Sequence, residues 1–259
     1  ITYIVIIFFI TGIPNGLSLK ENCYGGHVLY VGGSGSGNYT HIQDAINDAN
    51  DGDTIFVYSG TYYEKITTKG KKIRVVGENE KTTIIDGGGN DYNIFEVESY
   101  NMELHNFTIT NGGTPGAGIH IYKKHYVKIS HCTLSNLHHG ILMDCAGDCT
   151  VSKCTFENND VGIAVSCGCC RVNNAILYNN FVNNALHAFA NIDSIWDDGS
   201  KGNYWDDYTG SDANGDGIGD IPYNVPGGNN KDRYPLMDMV GIDSTPPIVE
   251  IIRPQNYLY

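Results

Sequence analysis

The chain has 259 residues, 41% of them hydrophobic, and 16 Lys and Arg stand against 29 Asp and Glu for a formal charge of −13. The apolar content excludes wholesale disorder and can fill one elongated core or two compact ones. The charge excludes nucleic acid as a partner, since phosphate binding needs clustered Lys and Arg; it suits an extracellular chain or one that collects divalent cations.

Residues 1–20 open with an apolar run from Ile1 to Ile13, then Pro14, Gly16 and Ser18. The run is short for a membrane span and reads as the remnant of a secretory signal. Export makes disulfides permissible for the eight cysteines. Between Tyr39 and Asn50, the spacing of Ile42, Ala45, Ile46 and Ala49 predicts a short amphipathic helix with Thr40 as its N-cap. Short β-rich runs follow, bounded by Gly, Asn or Asp, among them 54–57, 73–76, 83–85, 94–97 and 102–104.

A fixed step then takes over. Ile119, Ile141 and Ile163 lie 22 residues apart, each directly after a glycine; Asn136, Asn158 and Asn180 keep the same step, as do Cys132 and Cys154, and Cys145 and Cys167. Segments 107–111, 132–136, 154–158 and 176–180 align as one strand ending in Asn, with alternate positions apolar. Asn tolerates left-handed geometry there, and its amide is placed to bond its counterpart one coil away. Several strands per repeat, no helix within it and an Asn column predict an all-β fold: a right-handed, single-stranded parallel β-helix, a solenoid with coils of about 22 residues. Leucine-rich repeats have a similar period but need several leucines where this chain has β-branched residues and cysteines. The helix at Thr40 is placed to cover the solenoid's open first coil. The β-helix domain is assigned to residues 21–238, with no membrane span in it, as a monomeric module of a longer chain. Residues 239–259, with Pro246-Pro247 before an alternating apolar run, read as a linker and the start of an Ig-like module.

The stretches Tyr30–Thr40, Ile42–Ile46, Asp51–Glu64 and Gly202-Asn-Tyr-Trp-Asp-Asp-Tyr-Thr-Gly210 resemble the NosD-like branch of the pectin-lyase-like β-helix superfamily, over roughly Leu29 to Met237. The resemblance implies export to the cell surface, envelope or periplasm and a repeat architecture more firmly than it implies an activity.

The sharpest chemical pattern is Asp212-Ala-Asn214-Gly-Asp216-Gly217-Ile218-Gly-Asp220. Oxygen ligands at steps 1, 3, 5 and 9, the Ile218 carbonyl at 7 and a glycine at 6 follow the opening of a calcium loop, and predict a structural calcium. Tyr223 stands where an EF-hand has its bidentate Glu, which leaves either a modest affinity or a shell completed by Asp206, Asp207 or Asp232. Cys145, Cys149, Cys167, Cys169 and Cys170 are expected at one corner of successive coils. There they form either disulfides or a soft-metal site for zinc or copper, the latter suggested by the family's copper association. Cys132 and Cys154 fall on inward strand positions as small core residues, and Cys23 lies outside the solenoid. His120 points away from the core, and His138 and His139 read as solvent-facing turn residues; no histidine is taken as a ligand.

Carbohydrate-active solenoids gather carboxylates, a base and often Arg on one groove. This chain lacks Asn-Thr-Asp, Gly-His-Gly and Asp-Pro-His-Glu motifs, and Arg74, Arg171, Arg233 and Arg253 are scattered. The sequence therefore favours an exported, non-catalytic β-helix that meets a polysaccharide or a cell-surface protein. A polysaccharide lyase or epimerase, and a copper-handling protein, are the alternatives.

Overall fold

The computed structural model describes residues 26–168 and 173–241. The hydrophobic N-terminus, Cys23, Cys169, Cys170 and the expected Ig-like start lie outside the described residues. The strands stack into three parallel sheets, two of seven strands and one of six. Each complete coil contributes one strand to each sheet. In the coil 128–144, for example, Lys128–Ser130 joins sheet A, Thr133–Ser135 joins sheet B and His139–Asp144 joins sheet C. Coils pair strictly in parallel, so identical positions stack: Ile119 on Ile141 on Ile163 in sheet C, and Leu134 on Phe156 on Phe181 in sheet B. All six side chains are fully buried, and the core is the apolar column that the three sheets enclose.

The first end is closed by α1 (Ile42–Asp48), which buries Ile42, Ala45 and Ile46 against it. Its N-cap residue is His41, not Thr40, and no cap side chain bonds the helix. The Glu64 carboxylate does that from the next coil, accepting the Ile42 and Gln43 amides at 2.9 and 3.0 Å. A tertiary partner thus satisfies the orphan amides that a local residue was expected to hold.

Two features of the repeat differ from the sequence reading. The step is 22 from coil 128–144 to coil 150–166 but 25 to the next, because Val151 pairs with Ile176 and Phe156 with Phe181. The strand equivalent to 154–158 is therefore not 176–180; Asn183, not Asn180, follows Asn158. Three extra residues between Val165 and Ala175 shift the register. Secondly, Asn111, Asn136, Asn158 and Asn183 do adopt left-handed φ of 52–60°, turning the chain from sheet B toward sheet C. The stacked amides, however, are one residue further on or at the preceding corner. Asn159 donates to Asn184 Oδ1 at 2.9 Å, and Asn179 donates to Asn203 Oδ1 at 3.0 Å. A left-handed residue points its side chain outward, so its neighbour supplies the inward amide that satisfies buried backbone groups.

The glycines before the Ile column have a steric cause. A Cβ on Gly140 would lie 2.4 Å from the Gly162 carbonyl oxygen and 2.9 Å from Phe156; on Gly162, 2.4 Å from the His187 oxygen. The corner between sheets B and C is filled by the neighbouring coil and the large residues of sheet B, so no side chain fits at Gly140 or Gly162, whereas one coil before Gly118 the same column holds the buried Ile94.

Candidate functional site

The last coil is where chemistry-bearing residues gather. His187 occupies the glycine column, since Leu186 pairs with Val161 and Ala188 with Ile163. No further sheet C strand follows, so a side chain is admitted. It is 95% buried, and its Nε2 lies 2.7 Å from Asp206 Oδ1 and 3.3 Å from Asp207 Oδ1. Asp206 also accepts the Asn183 amide at 2.6 Å, and Asp207 accepts the Tyr223 hydroxyl at 3.2 Å. The His187, Asp206 and Asp207 donor atoms lie within 4.8 Å of one another, the metal-ready grouping among the described residues.

The Gly202–Asp207 segment builds this end. Asn203 joins the amide ladder, and Trp205 stacks face to face on Phe181 at 4.3 Å and on Tyr223 at 4.1 Å. Asp232 is fully buried beneath them, accepting from Asn203 N at 2.7 Å, Trp205 Nε1 at 2.9 Å and Tyr234 N at 3.1 Å. Burial raises its pKa to about 6, against the pull of those donors. Gly202 is glycine because a Cβ would overlap the Asp232 carboxylate. Tandem aromatics and a buried acceptor close the open end.

Hydrogen bonding decides what His187 Nε2 carries. Asn184 Oδ1 accepts both the backbone and side-chain amides of Asn159, and Asn184 Nδ2 donates to Phe156 O. The ladder therefore fixes the amide orientation, and its second N–H points at His187 Nδ1, 3.2 Å away. Nδ1 holds the lone pair and Nε2 the proton, donated to Asp206. A cation at Nε2 requires the opposite tautomer, with Nδ1–H facing an acceptor. The arrangement is a proton-mediated tie between coil and cap.

The residues singled out in the sequence fare differently. In the 212–220 loop Asp212 accepts the Gly215 and Gly217 amides at 2.8 and 2.9 Å, Asp216 accepts Ile218 N at 2.9 Å, and Asp220 accepts Ala213 N at 2.8 Å. Asn214 accepts Asp216 N at 3.1 Å. The loop curls around its own backbone amides, while Asp206 and Asp207 are engaged by His187 and Asp232 by the Asn203–Trp205 segment. Cys145 and Cys167 are joined as a disulfide across successive coils, Cα atoms 4.5 Å apart. Cys149 does not join them: it points into the core, where burial pushes its thiol up to about 11. Its equivalent one coil on is Asn174, whose amide accepts the Cys149 N–H at 3.1 Å. Inward facing of Cys132 and Cys154 holds, both being fully buried. His139 is not a solvent-facing turn residue; it opens a sheet C strand, half-buried, with Nδ1 lacking a partner. His187, Glu64 and Glu80 escaped sequence reading. Glu80 is 93% buried over sheet B, bonded to Thr133 and with its pKa raised by burial.

Outward polar groups pair along the ladder. Glu103 meets Arg74 at 2.9 Å and Lys128 at 3.1 Å, and these partners with His105 hold its carboxyl well below the usual range despite burial. His120 does point outward, with Nδ1 2.7 Å from Glu96 and Nε2 3.3 Å from Asp144 in the flanking coils. Its Glu96 hydrogen bond raises its pKa against the cost of burial, with Asp144 adding to the rise. Because the folded value is raised, this stabilisation is full below the ordinary histidine value near 6.5 and fades as pH rises through the folded value. His120→Gln should therefore lose stability against the parent most at about pH 5 and least at about pH 9. Denaturation midpoints across that range measure it, and a gap that grows with pH would contradict the pairing.

Comparison with known proteins bears on this architecture. The family model described as periplasmic copper-binding protein (NosD) matches residues 46–166 and 87–210, more than half of the chain. The chain belongs to the NosD family. It is a periplasmic family, which gives the chain an envelope location. A probable ABC transporter binding protein NosD of Stutzerimonas stutzeri is 35% identical over 107 residues, 40% of this chain and 24% of that one. Its counterpart in Pseudomonas aeruginosa is 31% identical over 102 residues, 38% of this chain and 23% of that one. The match thus spans about a quarter of the length of the curated NosD relatives. Among solved structures, an Aspergillus niger pectin methylesterase aligns at 17% identity and TM-score 0.48 over 75% of this chain and 76% of that one. Pectin methylesterase PemA of Erwinia chrysanthemi aligns at 13% and 0.45, over 68% and 59%. At those levels the likeness speaks to neither activity nor substrate.

Copper is the ion in the NosD family description. Among the described residues, thiols are either disulfide-bonded or in the core. Among the described residues the donors left at the surface are imidazoles and carboxylates, which suit copper(II), together with the thioethers of exposed Met239 and half-buried Met237, which suit copper(I). Among the described residues, no helix is long and apolar enough to cross a membrane.

Proposed function

We propose that this chain is a non-catalytic β-helix segment of an envelope protein of the copper-handling NosD type, presenting its solenoid faces to a protein or polysaccharide partner. The observation that supports it is the pairing of outward charges along the coils. Glu103 with Arg74 and Lys128, His120 with Glu96 and Asp144, His138 with Asp160 and His187 with Asp206 tie neighbouring coils together. Glu103 and His120 are engaged on both sides, which leaves neither a free lone pair nor a free proton for a substrate.

Copper reaching the described surface is taken as copper(II), by imidazole–carboxylate pairs such as His138–Asp160. The 212–220 loop is the place for calcium, which would compete with backbone amides for Asp212, Asp216 and Asp220. One set of measurements tests these statements. Calorimetric titration of chelator-treated protein with copper(II), copper(I) and calcium should give heat for copper(II) and calcium, and His138→Ala should reduce the copper(II) heat. Product release from a panel of uronans and pectins would overturn the non-catalytic reading; tight copper(I) binding by the native fold would overturn the choice of oxidation state.

A further inference from the structure

Cys132 and Cys154 hold the same place in consecutive coils. Each directly follows a residue with left-handed φ, His131 at 52° and Lys153 at 53°, and each precedes a residue of an in-register pair, Thr133 with Thr155. Each thiol donates to the carbonyl two residues before it, Ser130 or Ser152, at 3.4 Å. The two side chains therefore share one orientation, one coil apart. Adjacent strands lie about 4.8 Å apart, inside the Cα separation of about 4.4–6.8 Å that a disulfide spans. The two coils they join are those already stapled by Cys145 and Cys167, at another corner. Cys149 has no such partner, its counterpart being Asn174.

We propose that Cys132 and Cys154 are a second disulfide site, the dithiol described here being its reduced form. The oxidant is a disulfide-bonded thiol compound or protein of the envelope. The Cys132 thiolate attacks the oxidant's disulfide, forming a mixed disulfide and expelling one thiolate. The Cys154 thiolate then attacks the Cys132 sulfur, closing the intramolecular bond and expelling the second. Two cysteine protons are lost, and the oxidant leaves as two thiols. Both sulfurs are sealed from solvent once the coils stack. The bond must therefore close while the chain folds, and it is thereafter shielded from reductants that reach exposed disulfides.

The inference rests on the coil geometry and the envelope location, and is independent of copper handling. The test uses the full chain, unfolded with reductant and then refolded with or without a small-molecule disulfide such as oxidised glutathione. Each sample is opened in denaturant with an alkylating agent and mapped by peptide mass. The expected result is a Cys132–Cys154 cross-linked peptide in the oxidant arm only, beside Cys145–Cys167, and a higher denaturation midpoint than the reduced arm. In Cys145→Ser/Cys167→Ser, the 132–154 cross-link should persist. Alkylation of both Cys132 and Cys154 in oxidised parent protein that retains the 145–167 bond would overturn the proposal.

Discussion

Trp205→Ala should lower stability by about 3–5 kcal/mol, the range for truncating a large buried aromatic. The indole is fully buried and forms the link between Phe181 below and Tyr223 above. Removing it opens a cavity between the last coil and its cover, and strips Asp232 of one of the donors that make a buried carboxylate tolerable. Trp205→Phe keeps the stack and loses the indole N–H, so it should cost less. Guanidinium denaturation followed by tyrosine and remaining tryptophan emission reads both. If the alanine variant unfolds within about 1 kcal/mol of the parent, the cap contributes little and the solenoid's stability lies in its middle coils.

The second large effect concerns a missing side chain. Gly140→Ala places a methyl 2.4 Å from the Gly162 carbonyl oxygen, closer than any relaxed contact, between backbone segments that cannot move independently. Overpacking of this kind costs about 1–3 kcal/mol. The clash here involves ladder backbone, so the upper end of that range is expected. Gly168→Ala is the matched control, because its added methyl meets nothing within 4 Å among the described residues and its backbone is not left-handed. That variant should be neutral or gain about 0.4–1 kcal/mol from a stiffer unfolded chain. Equal destabilisation of the two variants would show that the glycine column is not sterically required.

Columns made the coil legible in sequence. A 22-residue step fixes which residues stack, and stacking assigned the inward Ile, Leu and Phe positions correctly. It failed where the period changed. A strand of three residues looks alike at 176–178 and 180–182, and only the pairing of Phe156 with Phe181 separates them. The cysteine corner was half legible: equal spacing found Cys145 and Cys167, while Cys149 differs from Cys145 in facing, which proximity in sequence does not reveal. Long-range partners were beyond reach, because nothing local tells that Glu64 caps a helix 22 residues earlier or that Asp232 receives the Trp205 indole. His187 carried a signal that a stricter alignment could have found. With the 25-residue step allowed, it is the residue that breaks the glycine column.

That break has a consequence for how long such a molecule can be. A column open only to hydrogen permits indefinite growth, each coil being a template for the next. A side chain in it must find room against the coil that follows, as buried Ile94 does opposite Gly118, or else stand where no coil follows. His187, pinned by Asp206 and packed beside Trp205, has no sheet C strand after it, and its side chain instead ties the last coil to the cap. Lengthening the solenoid by splicing in further repeats would have to begin by displacing that tie.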